Sequence, residues 1–138
     1  MMNLKRAKLR NKAGGFTLME MIIVIAIISI LASIAAASYQ RSVWRAREAV
    51  LHNDLFTLRS SIDQYTLDKQ KAPQSLEDLV TAGYIKSVPK DPMTNSSESW
   101  VTVQEDSLMS IDQTDPGITD VHSGASGTAT DGTAYNTW

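Results

Sequence analysis

Two groups of residues in this 138-residue chain have types and spacings that could do chemistry. The first is a series of oxygen donors, Asp112, Asp115, Asp120, Ser123 and Asp131, in a Gly/Thr/Ser-rich stretch. Hard oxygen ligands on a loop suit Ca²⁺, so Asp112, Asp120, Ser123 and Asp131 form a candidate calcium set. A plainer reading of the same stretch is turn chemistry and solubility, since Asp115-Pro116-Gly117 and Asp131-Gly132 are turn signals. Both readings stand on the sequence. The second group centres on Glu20. From Met21 to Ala37 the only polar residues are Ser29 and Ser33, and no charge follows until Arg41. With Phe16–Met19 in front, this run approaches the roughly 20 residues that a membrane-spanning helix needs. A carboxylate inside it costs about 2.5–3.5 kcal/mol on insertion scales and calls for a partner or a place at the membrane edge.

Other chemistries find no support. The chain has no cysteine, hence no disulfide framework. His52 and His122 lack metal-ligand spacing. There is no Gly-rich phosphate loop and no Ser/His/Asp constellation, and Glu77-Asp78 suit a helix N-terminus, so an enzyme is not expected. Thirteen Lys and Arg face fifteen Asp and Glu, a net charge of −2. Five of those cations, Lys5, Arg6, Lys8, Arg10 and Lys12, precede the apolar run. The remainder keeps eight cations against fifteen acids, a net of −7, with no Lys or Arg after Lys90. Such a surface repels phosphate, so direct nucleic-acid binding is not expected.

The elements that must position these residues follow from periodicity. Between Tyr39 and Lys71 there is neither Gly nor Pro, and Trp44, Leu51, Leu55, Leu58, Ile62 and Tyr65 recur at 3/4 spacing, the core face of an amphipathic helix. Arg45, Asn53, Arg59, Asp63 and Gln70 take its other side, and Arg41, Arg45, Arg47 and Glu48 read as a solvated or headgroup-facing surface. Ala72-Pro73 ends the helix. Ser75–Val80 reads as a short helix with Ser75 as N-cap, Asp78 at the capping-box position and Gly83 at its end. Trp100–Gln104 and Ser107–Ile111 read as two strands joined at Glu105-Asp106, burying Val101, Val103 or their neighbours against the helix, with a third short strand near Ile118–His122.

Gly15-Phe16-Thr17-Leu18-Met19-Glu20, behind a basic leader, resembles the processing site of type IV pilins and type II secretion pseudopilins. Ala72-Pro73, the Leu76/Leu79 helix, Gly83-Tyr84-Ile85 and Pro89-Lys90-Asp91-Pro92 resemble the αβ-loop of the major pseudopilin of type II secretion. That family continues its Asp-Pro with Trp-Gly, where this chain has Met93-Thr94-Asn95, and has a proline about where Ala37 stands. The resemblance implies that a prepilin peptidase cuts between Gly15 and Phe16 and methylates Phe16, and that Glu20 sets subunit registration by meeting a neighbour's N-terminal ammonium. It also implies a calcium site in the C-terminal loop. Val121–Gly127 resembles that segment, with Ser126 where the family has an acidic ligand and one residue missing.

The expected fold class is α+β: a long N-terminal helix packed against a small antiparallel sheet, as in type IV pilins. The expected organisation is a cleaved basic leader over 1–15, a transmembrane and filament-core helix over 16–39, and a periplasmic head over 40–138. Within the head, 40–71 is the amphipathic helix, 72–99 a loop with a short helix, and 100–138 the sheet and C-terminal loop. The function implied is a structural subunit of a type II secretion pseudopilus. A type IV or competence pilin is the nearest alternative, and a non-polymerising anchored domain that binds calcium or a protein is one of another class. A secretory signal cut after Ala37 competes with the leader reading. Implied partners are other copies in a helical filament, the prepilin peptidase, other pseudopilins, the inner-membrane assembly platform and the membrane itself. The N-terminus is placed in the cytoplasm and the head in the periplasm.

Overall fold

A computed structural model describes residues 14–105 and 116–138. The chain divides into two compact units, Met1–Tyr39 and Gln40–Trp138.

The first unit is described from Gly14 and is helical from Leu18, where α1 (Leu18–Lys69) begins. Thr17 starts the helix: its carbonyl accepts the first helical bond from Met21 N at 3.2 Å, and its Oγ1 accepts from Glu20 N at 3.2 Å. Thr-Leu-Met-Glu is thus one half of a capping box, with an acid in the first turn where the helix dipole favours it. Ser29 and Ser33 donate back to the carbonyls of Ile25 and Ser29, each at 2.8 Å, so neither polar side chain is left open in the apolar run. The helix passes through Ala37 without a break.

The second unit holds the core. From α1 come Leu51, Leu55, Leu58 and Ile62, all at most 2% exposed, which is the stripe read from the sequence. Trp44 departs from that reading. It shares the stripe's face but is 45% exposed, since it stands one turn ahead of the buried residues, with Arg47 5.3 Å over its ring. Gln70 ends α1 in the left-handed region (φ 55°). Helix α2 (Leu76–Thr81) places Leu76 and Leu79 on the core. The Asp78 carboxylate accepts from Gln74 N at 2.8 Å and Ser75 N at 3.1 Å, fixing the helix start. At its other end Gly83 N bonds Val80 O and Tyr84 N bonds Leu79 O, the paired bonds of a glycine-terminated helix.

Strands β1 (Val101–Glu105) and β2 (Gly117–His122) form an antiparallel pair, with Val101 opposite His122 and Glu105 opposite Gly117. The third strand expected from the sequence is therefore β2, and it pairs directly with β1. The expected strand Ser107–Ile111 lies outside the described residues. The register slips between Val103 and Gln104, which leaves Thr119 as an extra residue and brings Ile118 and Val121, three apart, to the core together. The burial expected at Val101, Val103 or a neighbour falls on Trp100, while Val101 itself is 52% exposed, because alternation sends the side chain after Trp100 outward. Trp100 is 8% exposed and donates from Nε1 to Pro89 O at 2.8 Å. Ala125, Ala129 and Tyr135 complete the core, and a 3-10 turn, Tyr135–Thr137, closes the chain's described part.

Candidate functional site

In the first unit Gly14–Glu20, the stretch that resembles a processing site, is laid out on the surface. Phe16 is 75% exposed, and a Cβ built on Gly14 or Gly15 would meet nothing within 4 Å. Among the described residues, the Gly-Gly pair meets no packing demand. Every residue from Gly14 to Ser42 is exposed, including Leu18, Ile25, Ile30 and Ile34, each above 60%. This part of α1 is long and apolar enough to cross a membrane.

In the second unit the C-terminal loop is fastened by carboxylates. Glu48, read from the sequence as solvated, is buried at 7% exposure and turned inward. Its Oε1 accepts from Thr130 N at 2.8 Å and Tyr135 Oη at 3.0 Å, and its Oε2 from Thr130 Oγ1 at 2.6 Å. Burial pushes the Glu48 carboxyl up, yet these three donors outweigh it and hold its pKa below the ordinary value. Tyr135 is pushed up in turn, first by burial and then by its bond to Glu48. The sequence did carry a signal for Glu48: it falls at i+4 from Trp44 and three before Leu51, on the apolar face.

Asp91 is fully buried. Its Oδ2 accepts from Ser123 Oγ, its Oδ1 from Met93 N at 2.8 Å, and its backbone bridges to Ser96. Burial, then the Asp91 charge, raises the pKa of Asp54 on α1. Arg59, expected on the solvated side, reaches β2: Nε donates to Asp120 Oδ1 at 2.7 Å and Nη2 to the Val121 carbonyl at 2.9 Å. Asp120 also accepts from Val121 N at 2.7 Å, and His122 Nε2 stands 3.4 Å from its Oδ2. Burial raises the Asp120 pKa, but the Val121 amide and the Arg59 guanidinium together bring it below the ordinary value.

The described members of the candidate calcium set are engaged separately in this arrangement. Asp112 lies outside the described residues. Asp120 is engaged by Arg59, Ser123 by Asp91, and Asp131 by Thr133, whose N and Oγ1 donate to Asp131 Oδ1 at 2.9 and 2.6 Å. Those Thr133 bonds lower the Asp131 pKa, and Gly132 follows with φ 91°, so Asp131-Gly132 is the turn the sequence signalled. Ser126 is exposed. Among the described residues no three His, Cys, Asp or Glu side chains come together as metal ligands do. The described residues do not fit a calcium site.

Comparison with known proteins bears on both units. A family profile described as "Prokaryotic N-terminal methylation motif" matches residues 10–36. The chain is 35% identical over 101 residues to the type II secretion system core protein G of Escherichia coli K12, covering 62% of this chain and 70% of that one. Against the protein of the same name from Vibrio cholerae the identity is 35% over 103 residues, covering 64% and 70%. Against that of Pseudomonas aeruginosa it is 30% over 102 residues, covering 62% and 72%. No solved structure matches significantly.

Proposed function

Because the chain belongs to the family of type II secretion system core protein G, whose members are structural pseudopilins, we propose that its apolar helix is stored in a bilayer and then repacked against the same helix of other copies. One observation carries this: the first 25 residues or so of α1 are uncovered by the chain's own fold, and an apolar surface of that extent marks a membrane or protein contact. In this reading the leader 1–15 is removed by a prepilin peptidase between Gly15 and Phe16, and the new N-terminus, Phe16, is methylated. The exposed, sterically unconstrained Gly15-Phe16 pair supports it, as does the profile match that contains both.

Glu20 acts at two stages. In the stored subunit it lies at the membrane edge in the first turn of α1, where the dipole favours it. In the filament it meets the N-terminal ammonium of a neighbouring copy, where low dielectric multiplies the attraction several-fold over water. Five leader cations hold the N-terminus in the cytoplasm and leave the head in the periplasm, with the inner membrane between. Other pseudopilins and the inner-membrane assembly platform are the remaining partners. Relatives named for type II secretion favour this over a type IV or competence pilus and over a non-polymerising anchored domain.

The test is Glu20→Ala in cells. Membrane insertion is retained, while the filament yield falls at least about tenfold, since an ammonium left unpaired in an apolar core costs several kcal/mol. Normal filaments from Glu20→Ala would refute the registration role. N-terminal sequencing of the membrane-extracted chain should begin at methylated Phe16, and a start at Ser38 would overturn the leader reading.

A further inference from the structure

We propose that Glu48 and Asp91 close the C-terminal loop of this head onto α1 and onto the loop after α2, and that this protein therefore holds its fold without calcium. The geometry is that of a clamp. The segment from Gly127 to Trp138 is a small unit of its own: Ala129 N bonds Thr133 O at 2.7 Å, Tyr135 N bonds Gly127 O at 3.1 Å, and Thr128 bridges to Ala134. Two successive turns of α1 receive it. Glu48 takes the three donors from Thr130 and Tyr135, and His52, four residues on, stacks on Trp138 with ring centroids 3.9 Å apart and planes 15° apart. Asp91 takes the start of the same loop through Ser123, whose Oγ also accepts from Ala125 N at 3.1 Å.

A calcium ion would close such a loop by drawing about 6–8 oxygens to 2.3–2.6 Å around one positive centre. Here the two described carboxylates of the candidate set, Asp120 and Asp131, have been given protein donors instead. Asp120 already holds a cation, the Arg59 guanidinium, and a second positive charge beside it would be repelled. The Ser123 hydroxyl is committed to Asp91, and the Asp131 oxygen that faces its turn is committed to Thr133. The position at which the resemblance expects an acidic ligand holds Ser126. What the loop requires is thus a buried acceptor, and Glu48 and Asp91 supply it from the scaffold side.

The experiment measures the thermal midpoint of the head in the purified full chain, in millimolar CaCl₂ and in EGTA, for the natural sequence and for Glu48→Gln. The natural sequence keeps its midpoint within about 1 °C between the two buffers, whereas a site saturated a hundredfold above its Kd would raise it by roughly 10 °C or more. Glu48→Gln lowers the midpoint by roughly 5–15 °C in both buffers, because it removes the charge that three donors serve. Thr130→Val and Tyr135→Phe each remove one donor and leave the carboxylate in place, so they read the clamp if Glu48→Gln fails to fold; each lowers the midpoint by roughly 4–10 °C. A calcium-dependent rise in the natural sequence, or midpoints unchanged in all three variants, overturns the proposal. Unfolding of the head needs no polymerisation, so this outcome is independent of the filament reading.

Discussion

Arg59 joins α1 to β2 through two kinds of bond, and their separate weights can be worked out. The ion pair with Asp120 is close, at 2.7 Å, but the two side chains are 38% and 40% exposed. Solvent at that exposure screens the pair to at most about 1 kcal/mol. The second bond runs from Nη2 to the Val121 carbonyl at 2.9 Å, beside a fully buried residue, and a hydrogen bond from a charged donor contributes about 1.5–3 kcal/mol. Asp120→Asn keeps an oxygen for Val121 N and leaves the carbonyl bond intact, so it should cost about 1 kcal/mol or less. Arg59→Met removes both bonds while keeping the apolar stem, and should cost about 2–4 kcal/mol. Urea unfolding of the head, residues Gln40–Trp138, reads both, since that unit contains the whole described core. Acid adds a check of sign. The Asp120 pKa is lowered in the fold, so its stabilisation is full above the ordinary aspartate value and is lost as pH falls through the folded one. That loss should be absent from Asp120→Asn. If Asp120→Asn costs as much as Arg59→Met within about 0.5 kcal/mol, the ion pair rather than the carbonyl bond joins helix to strand and the reasoning fails.

Two further outcomes test the core and the loop. Leu58→Ala, at a fully buried position, should cost about 3–5 kcal/mol in the same unfolding measurement, whereas Phe56→Ala, two residues earlier and 72% exposed, should stay within about 0.5 kcal/mol; reversed values would mean the helix faces are misassigned. Gly124→Ala should destabilise clearly, because the added Cβ would lie 2.0 Å from the Ser99 carbonyl oxygen; a neutral result in thermal melting would show that the two loops do not approach so closely.

Much of this protein was legible along the chain. Glycine and proline punctuation bounded both helices, 3/4 spacing chose Leu51, Leu55, Leu58 and Ile62, and the run after Glu20 announced the apolar helix. These are local properties: helix formation and membrane partition depend on residues within a few turns, and the sequence states them directly. The strands are less legible, because what pairs with β1 depends on a partner twelve or more residues away and on a bulge at Thr119 that no alternation signals. The roles of the charged residues were the least legible. Arg59 looks like an ordinary solvated position on an amphipathic helix, Glu48 like a lone acid on its apolar face with no partner in sight, and Asp91 like a turn residue between two prolines. The tertiary structure makes Glu48 the acceptor for Thr130, 82 residues away, and Asp91 the acceptor for Ser123, 32 away. A buried carboxylate is tolerable only where donors converge on it, and convergence across such separations exists only once the chain has folded.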